Sequence, residues 1–200
     1  MPPVALIRAV TTRQCLRVLG VDPAVAGATG YGIVDCEGTA SKLVRFGALK
    51  LPARATFAAR LREIHQLISQ LVQEFAPDAV AVESVFTALN VKTALRLAEM
   101  RGVVLLAAAQ AQIPAHSYAP REIKVSVSGF GGASKQQMQQ MVSSLLGLKE
   151  SPEPLDASDA LAVALCHTYA SRARERIAAA TSKRPTLLAE NRWSRAARVP

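Results

Sequence analysis

Apolar residues come first in short runs and only later at helical spacing. Leu16–Asp22 (LRVLGVD) is mostly apolar and stops at Pro23, the pattern of a buried central strand. Thr29–Cys36 (TGYGIVDC) follows a loop of small residues, and Ser41–Leu51 (SKLVRFGALKL) follows the turn signal Glu37-Gly38. Together they predict an antiparallel meander. Residues 1–15 show no sustained period and read as a disordered extension.

Helical spacing then takes over. Phe57, Leu61, Ile64, Ile68, Leu71 and Phe75 fall at alternating steps of three and four, one stripe of a helix from about Thr56 to Glu74 that Pro77 stops. Asp78–Glu83 (DAVAVE) reads as a short strand with Ala and Val buried. Asn90 is a candidate cap for a helix to about Ala111, whose second half, VVLLAAAQA, is apolar nearly all round. Burial against the sheet and burial against a second subunit both explain that half. Ile113–Tyr118 is the fifth predicted strand, followed by a helical segment over Pro120–Ser126 and a loop carrying Gly129, Gly131 and Gly132. A capped helix over Ser134–Leu146 and a last helix from Leu155 or Asp156 past Tyr169 complete the body. Strands in a block, then strands alternating with helices, describe an α/β fold: a mixed five-stranded sheet flanked by helices. The expected domain spans 16–171, and 172–200 is a basic tail, the end of the last helix and then disorder.

Composition narrows the class. Half of the 200 residues are apolar, enough for a sizeable core and too many for a disordered chain. No apolar run approaches the ~20 residues of a membrane span, and the opening MPPVALIRAVTTRQC, broken by Arg8 and Arg13, does not read as a secretory signal. Cys15, Cys36 and Cys166 are odd in number with no C-x-x-C pair, so the expectation is a reduced, cytoplasmic protein without a disulfide framework or thiolate zinc site. The net charge of +9 favours a polyanionic partner. It is uneven: from Arg172 onward eight Lys/Arg face two Glu, leaving +3 for the first 171 residues.

Four carboxylates stand out by position. Asp22 and Glu83 each end a predicted strand, and Asp156 and Asp159 lie at i and i+3 in the first turn of the last helix, on one face. If the first and fourth strands are parallel neighbours, all four acids converge at one end of the sheet. Such a cluster is costly unless cations neutralise it, and hard oxygen ligands suit Mg²⁺ or Mn²⁺. Each acid alone has a plainer explanation. Asp156 and Asp159 complement a helix N-terminus, and Asp22 before Pro23 is a turn acid. Glu83 is harder to dismiss, because AVAVE takes a charge straight off a buried strand. Lys124 and Lys135 flank the glycine loop, where they could hold phosphates or simply be solvated. Phe86 in SVFTALN is a candidate to stack on a base or to pack a helix. His65, His116 and His167 share no ligand spacing. There is no G-x-x-x-x-G-K-[ST], and GATGYG is only superficially a phosphate loop.

The ordered set LGVDP…TGYGIVD, VAVESVF, RGVVLLAA, YAPREIKVSVSGFGGASKQQMQQMV and DASDALAVALCH resembles the RuvC family of bacterial Holliday junction resolvases, over roughly Leu16 to Tyr169. The resemblance implies a ribonuclease H-like fold, a homodimer, and cleavage of four-way junction DNA by paired nicks that leave 5′-phosphate and 3′-hydroxyl ends. It implies two Mg²⁺ per subunit, with Mn²⁺ as a substitute, and a partnership with the RuvA–RuvB branch-migration complex. Carried over residue by residue, the metal-binding and catalytic acids fall on Asp22, Glu83, Asp156 and Asp159. The basic residues near the scissile phosphate fall on Lys124 and Lys135, and the junction-contacting aromatic on Phe86. The loop DPAVAGATGYG departs from the family, which usually has Gly directly after Asp-Pro and a slightly shorter loop. That departure bears on loop contacts to DNA rather than on the metal ligand. Two other classes fit the same acids: a cleaver of RNA–DNA hybrids, and a DNA-binding relative without turnover. Two-lobed ATPases of related fold need far more than 200 residues.

Overall fold

Strand β1 (Cys15–Asp22) is apolar on both faces because both faces are covered: Val18, Leu19 and Val21 have no solvent exposure. The computed structural model describes residues 15–25, 27–84 and 90–182. β1 pairs antiparallel with β2 (Ala28–Glu37), which pairs antiparallel with β3 (Ala40–Lys50). On its other side β1 runs parallel to β4 (Ala79–Glu83), and β4 parallel to β5 (Ala115–Tyr118). The sheet is therefore five-stranded and mixed, in the order β3-β2-β1-β4-β5.

The expected elements all form, with shifted ends. β5 is two residues shorter than the pattern suggests, because the chain turns through Gln112, at φ 58°, and Pro114. The helix after β5 extends two residues further, to Ser128, where Gly129 closes it in the left-handed conformation.

One face of the sheet is covered by α1 (Phe57–Phe75) and α2 (Val91–Gln110). Their inward residues, among them Ile64, Ile68, Met100 and Val104, join Leu19, Val21, Ile33, Val80 and Val82 in one core. Thr56 caps α1 by accepting from the Ala59 N–H, and Asn90 caps α2 by accepting from the Thr93 N–H. The far half of α2 is only partly inward: Val104, Ala107 and Ala108 are buried while Leu106 is 52% exposed.

The other face carries α5 (Leu155–Ser182), with α3 (Pro120–Ser128) and α4 (Lys135–Leu145) preceding it in the chain. From Ala157 to Cys166 α5 has Leu161, Val163, Leu165 and four alanines in the core. Glycines make room for it. A Cβ on Gly20 would meet the Ala160 carbonyl and the Ala164 backbone, one on Gly30 the Asp156 carbonyl, and one on Gly32 the Leu161 side chain. Gly20 and Gly32 face each other across β1 and β2, and Gly30 faces Asp22. The sheet thus presents a bare strip along which the helix backbone rests.

At the opposite end of β1, Arg17 holds Asp35 through two bonds of 2.7 and 2.8 Å and donates to the Phe75 carbonyl at 2.9 Å. The chain divides into two units after Thr168, inside α5. In the second, the helix continues to Ser182, with Arg172 stacked over Tyr169 and Ile177 66% exposed. Among the described residues no helix is long and apolar enough to cross a membrane.

Candidate active site

Parallel pairing fixes the first relationship in the site. Val21 is in register with Val82, so the next residues, Asp22 and Glu83, end their strands side by side. Adjacent residues in register project to the same face. That face is the one on which Gly20, two residues before Asp22, meets α5. Glu83 is in turn in register with Tyr118, after which the chain enters α3 and reaches Lys124. Lys135 opens α4, whose N-terminus is closed by a reciprocal cap between Ser134 and Gln137.

Five of the anticipated residues line one pocket. Asp22, Glu83, Lys124, Lys135 and Asp159 surround it, with Pro120, Ile123, Met138, Ala162 and Val163 as an apolar wall. Asp156 is not among the lining residues, and its charge still acts on both Asp22 and Asp159. Phe86 falls outside the described residues.

The acids cannot all be ionised comfortably. Burial, and then the charge of Glu83, hold the Asp22 carboxyl well above the usual carboxylate range. The hydrogen bond between the two carboxyls raises Asp22 and lowers Glu83, and the charges of Asp159 and Asp156 push Asp22 in the same upward direction. Glu83 is also raised, chiefly by burial, although the bond from Asp22 and the charges of Lys135 and Lys124 oppose the rise. Asp159 is raised by burial against the pull of Lys135, whose Nζ lies 3.6 Å from its Oδ2.

The chemistry of the donors suits a hard divalent cation, since every candidate ligand is a carboxylate oxygen and no histidine or thiol intrudes. Carboxyls raised by burial and by one another's charge mark a place where a cation would relieve the same repulsion. As the side chains stand, no three His, Cys, Asp or Glu among the described residues are drawn into a ligating group. Lys135 engages Asp159 in the meantime.

Beside the site, Tyr118 donates or accepts a 2.7 Å hydrogen bond with Nδ1 of His167, both buried, and His116 stacks 4.5 Å from the His167 ring. These two histidines are therefore tied into the packing of β5 against α5. The sequence pattern did not point to this pair, nor to the glycine strip. The signal for the strip was Gly30 and Gly32 at the strand period of two.

A family model described as crossover junction endodeoxyribonuclease RuvC matches residues 18–167. A crossover junction endodeoxyribonuclease RuvC from Syntrophomonas wolfei is 44% identical over 157 residues, covering 78% of this chain and 91% of its own length. The Thermotoga maritima protein of the same name is 45% identical over 159 residues, covering 80% of this chain and 94% of its own. Among solved structures, Thermus thermophilus RuvC superposes with a TM-score of 0.73 at 33% identity, covering 80% of this chain and 97% of that one. The same Thermus protein in complex with a Holliday junction substrate gives 0.72 at 31% identity, covering 79% of this chain and 96% of that one.

Proposed function

Because the chain belongs to the RuvC family of crossover junction endodeoxyribonucleases, we propose that it is a Mg²⁺-dependent nuclease that resolves four-way DNA junctions in recombination and repair, acting in the cytoplasm. The observation that carries this reading is the convergence of Asp22, Glu83 and Asp159 with Lys124 and Lys135 around one pocket. The junction complex of the Thermus relative supports the same substrate class.

In this reading Asp22, Glu83, Asp156 and Asp159 would hold the metal. With a cation held there Asp22 would be ionised, and Lys135, 3.6 Å from Asp159 Oδ2, would be free to turn toward the phosphodiester. Two divalent cations, when bound, supply charge neutralisation at the phosphate and a hydroxide nucleophile at neutral pH. Lys124 and Lys135 offset negative charge on the phosphate as it builds. The apolar wall of Ile123, Met138 and Val163 limits water on one side and strengthens those interactions. Attack on the phosphorus with departure of the 3′ oxygen leaves 5′-phosphate and 3′-hydroxyl ends.

Paired nicks need two sites related by symmetry, which an isologous dimer provides. The outward face of α2 supports one: Leu95 is 60% and Leu106 52% exposed, with the uncovered Gly102 between them. A link to the RuvA–RuvB branch-migration complex follows from the family resemblance.

Substrate choice tests the proposal. The protein with Mg²⁺ should nick a synthetic four-way junction at symmetric positions and leave linear duplex intact. Preferential cleavage of an RNA–DNA hybrid would instead make it a ribonuclease H-type enzyme, and tight junction binding without nicks would make it a binding protein.

A further inference from the structure

The acidic pocket opens at one edge of the sheet, and a second pocket opens at the same edge on the opposite face. β2 is antiparallel to both β1 and β3, so the ends of β3 and β1 lie at one edge, with Ala28 in register with Lys50. β4 is parallel to β1 and ends there too. The loop after Asp22, the start of α1 and the start of α2 are therefore neighbours of the acidic site by topology. Val25, Ala53, Ala55, Phe57, Arg60 and Arg96 line the pocket among them.

Its charge is one-sided. The lining contains two arginines and no carboxylate. The salt bridges among the described residues are Arg17–Asp35, Arg62–Glu63 and Lys135–Asp159, so neither pocket arginine is ion-paired among those residues. Arg96 is held with its guanidinium 5.4 Å above the Phe57 ring, which orients it and leaves its N–H edges available. Arg60 makes only a 3.5 Å contact with the Pro52 carbonyl. Neither α1 nor α2 has an acidic residue in its first turn, where the helix dipole would favour one. Two cations within the first two turns of two helices oppose those dipoles, an arrangement that suits a bound anion.

We propose that this pocket binds a backbone phosphate of the DNA other than the scissile one, holding the strand on the far side of the catalytic edge. Lys124 and Lys135 would then grip the backbone on one face of the sheet, and Arg60 and Arg96 on the other. Arginine suits the task, because its planar fork matches two phosphate oxygens. The inference rests on the junction-nuclease reading for the identity of the anion.

The test is the salt dependence of junction binding by the full chain in EDTA, which blocks cleavage. The plot of log affinity against log salt should become shallower by about 1 in the R60Q/R96Q variant, since one neutralised phosphate in duplex DNA accounts for ~0.9. The R60K/R96K variant should recover the slope, and thermal stability should be little changed in either. An unchanged slope with lowered thermal stability would overturn the proposal and leave the arginines as packing for Phe57. If the wild type binds linear duplex as tightly as the junction, the resolvase reading falls while the slope still reports on the pocket. If it binds no DNA at all, both fall.

Discussion

Gly30 of β2 lies directly against the first turn of α5: a methyl group there would overlap the carbonyl oxygen of Asp156. The contact is backbone to backbone, so no side-chain rotation relieves it. Because Gly30 also faces Asp22 across the sheet, this one close approach sets how near the acids of α5 come to the acid of β1. Gly30→Ala should therefore cost about 1–3 kcal/mol of stability through overpacking, and lose nicking by more than the stability loss explains. Thermal unfolding and a junction assay well below the transition separate the two effects.

Asp22→Asn should reduce cleavage by at least ~10³-fold, about 4 kcal/mol of transition-state stabilisation, because in the proposed mechanism Asp22 holds the metal. Junction binding should survive, since no positive charge is lost. Gel-shift and nicking measurements on the same preparation check this. If binding collapses along with cleavage, Asp22 is structural.

The acids predict an unusual pH dependence of the metal-free protein. Asp22, Glu83 and Asp159 are all raised by burial first. A carboxyl with a raised folded-state pKa contributes stability that is present below its unfolded value, and that stability is lost as pH rises through the folded value. Asp22→Asn should thus stabilise the metal-free chain, with a larger gain at about pH 8 than at about pH 5. Mg²⁺ should raise the melting temperature of the wild type more at the higher pH and scarcely affect the variant. A gain for the variant that does not grow with pH would contradict the upward shift of Asp22.

Lys135→Met removes the charge that opposes the rise at Asp159. Asp159 should then hold its proton to higher pH, and the acidic limb of the pH–rate profile should move upward. Lys135→Arg should keep the limb in place. Since the Lys135 side chain is 80% exposed, stability should change little. A profile that drops in height without moving would leave Lys135 with only a phosphate-binding role.

Tyr118→Phe deletes the buried bond to His167, which ties the end of β5 to the helix that carries Asp159. The expected cost is about 1 kcal/mol in denaturant unfolding. A smaller fall in cleavage should follow, in kcat rather than KM.

Most of the fold was legible because period and punctuation agree. The stripe from Phe57 to Phe75 has Thr56 before it and Pro77 after it, and α1 follows that span. β5 misled at its start because Ile113 is buried like a strand residue while the chain is still turning. The acids were legible because Asp22 and Glu83 each break an apolar run, and a charge at the end of a buried strand needs a reason. Their closeness was not, since strand order and parallel pairing are long-range facts. Arg60 and Arg96 lie on different helices and form a pair only once both helices start at the same sheet edge. The GATGYG stretch was set aside as a weak phosphate loop. Two of its glycines, Gly30 and Gly32, serve instead as the floor under α5.

The most direct test of the account is a single-turnover assay on a synthetic four-way junction, comparing wild type with Glu83→Gln in Mg²⁺ and in EDTA. The account predicts symmetric nicks by the wild type in Mg²⁺ alone, and none by the variant although it still binds the junction. Nicking that persists in EDTA, or in Glu83→Gln, would contradict it.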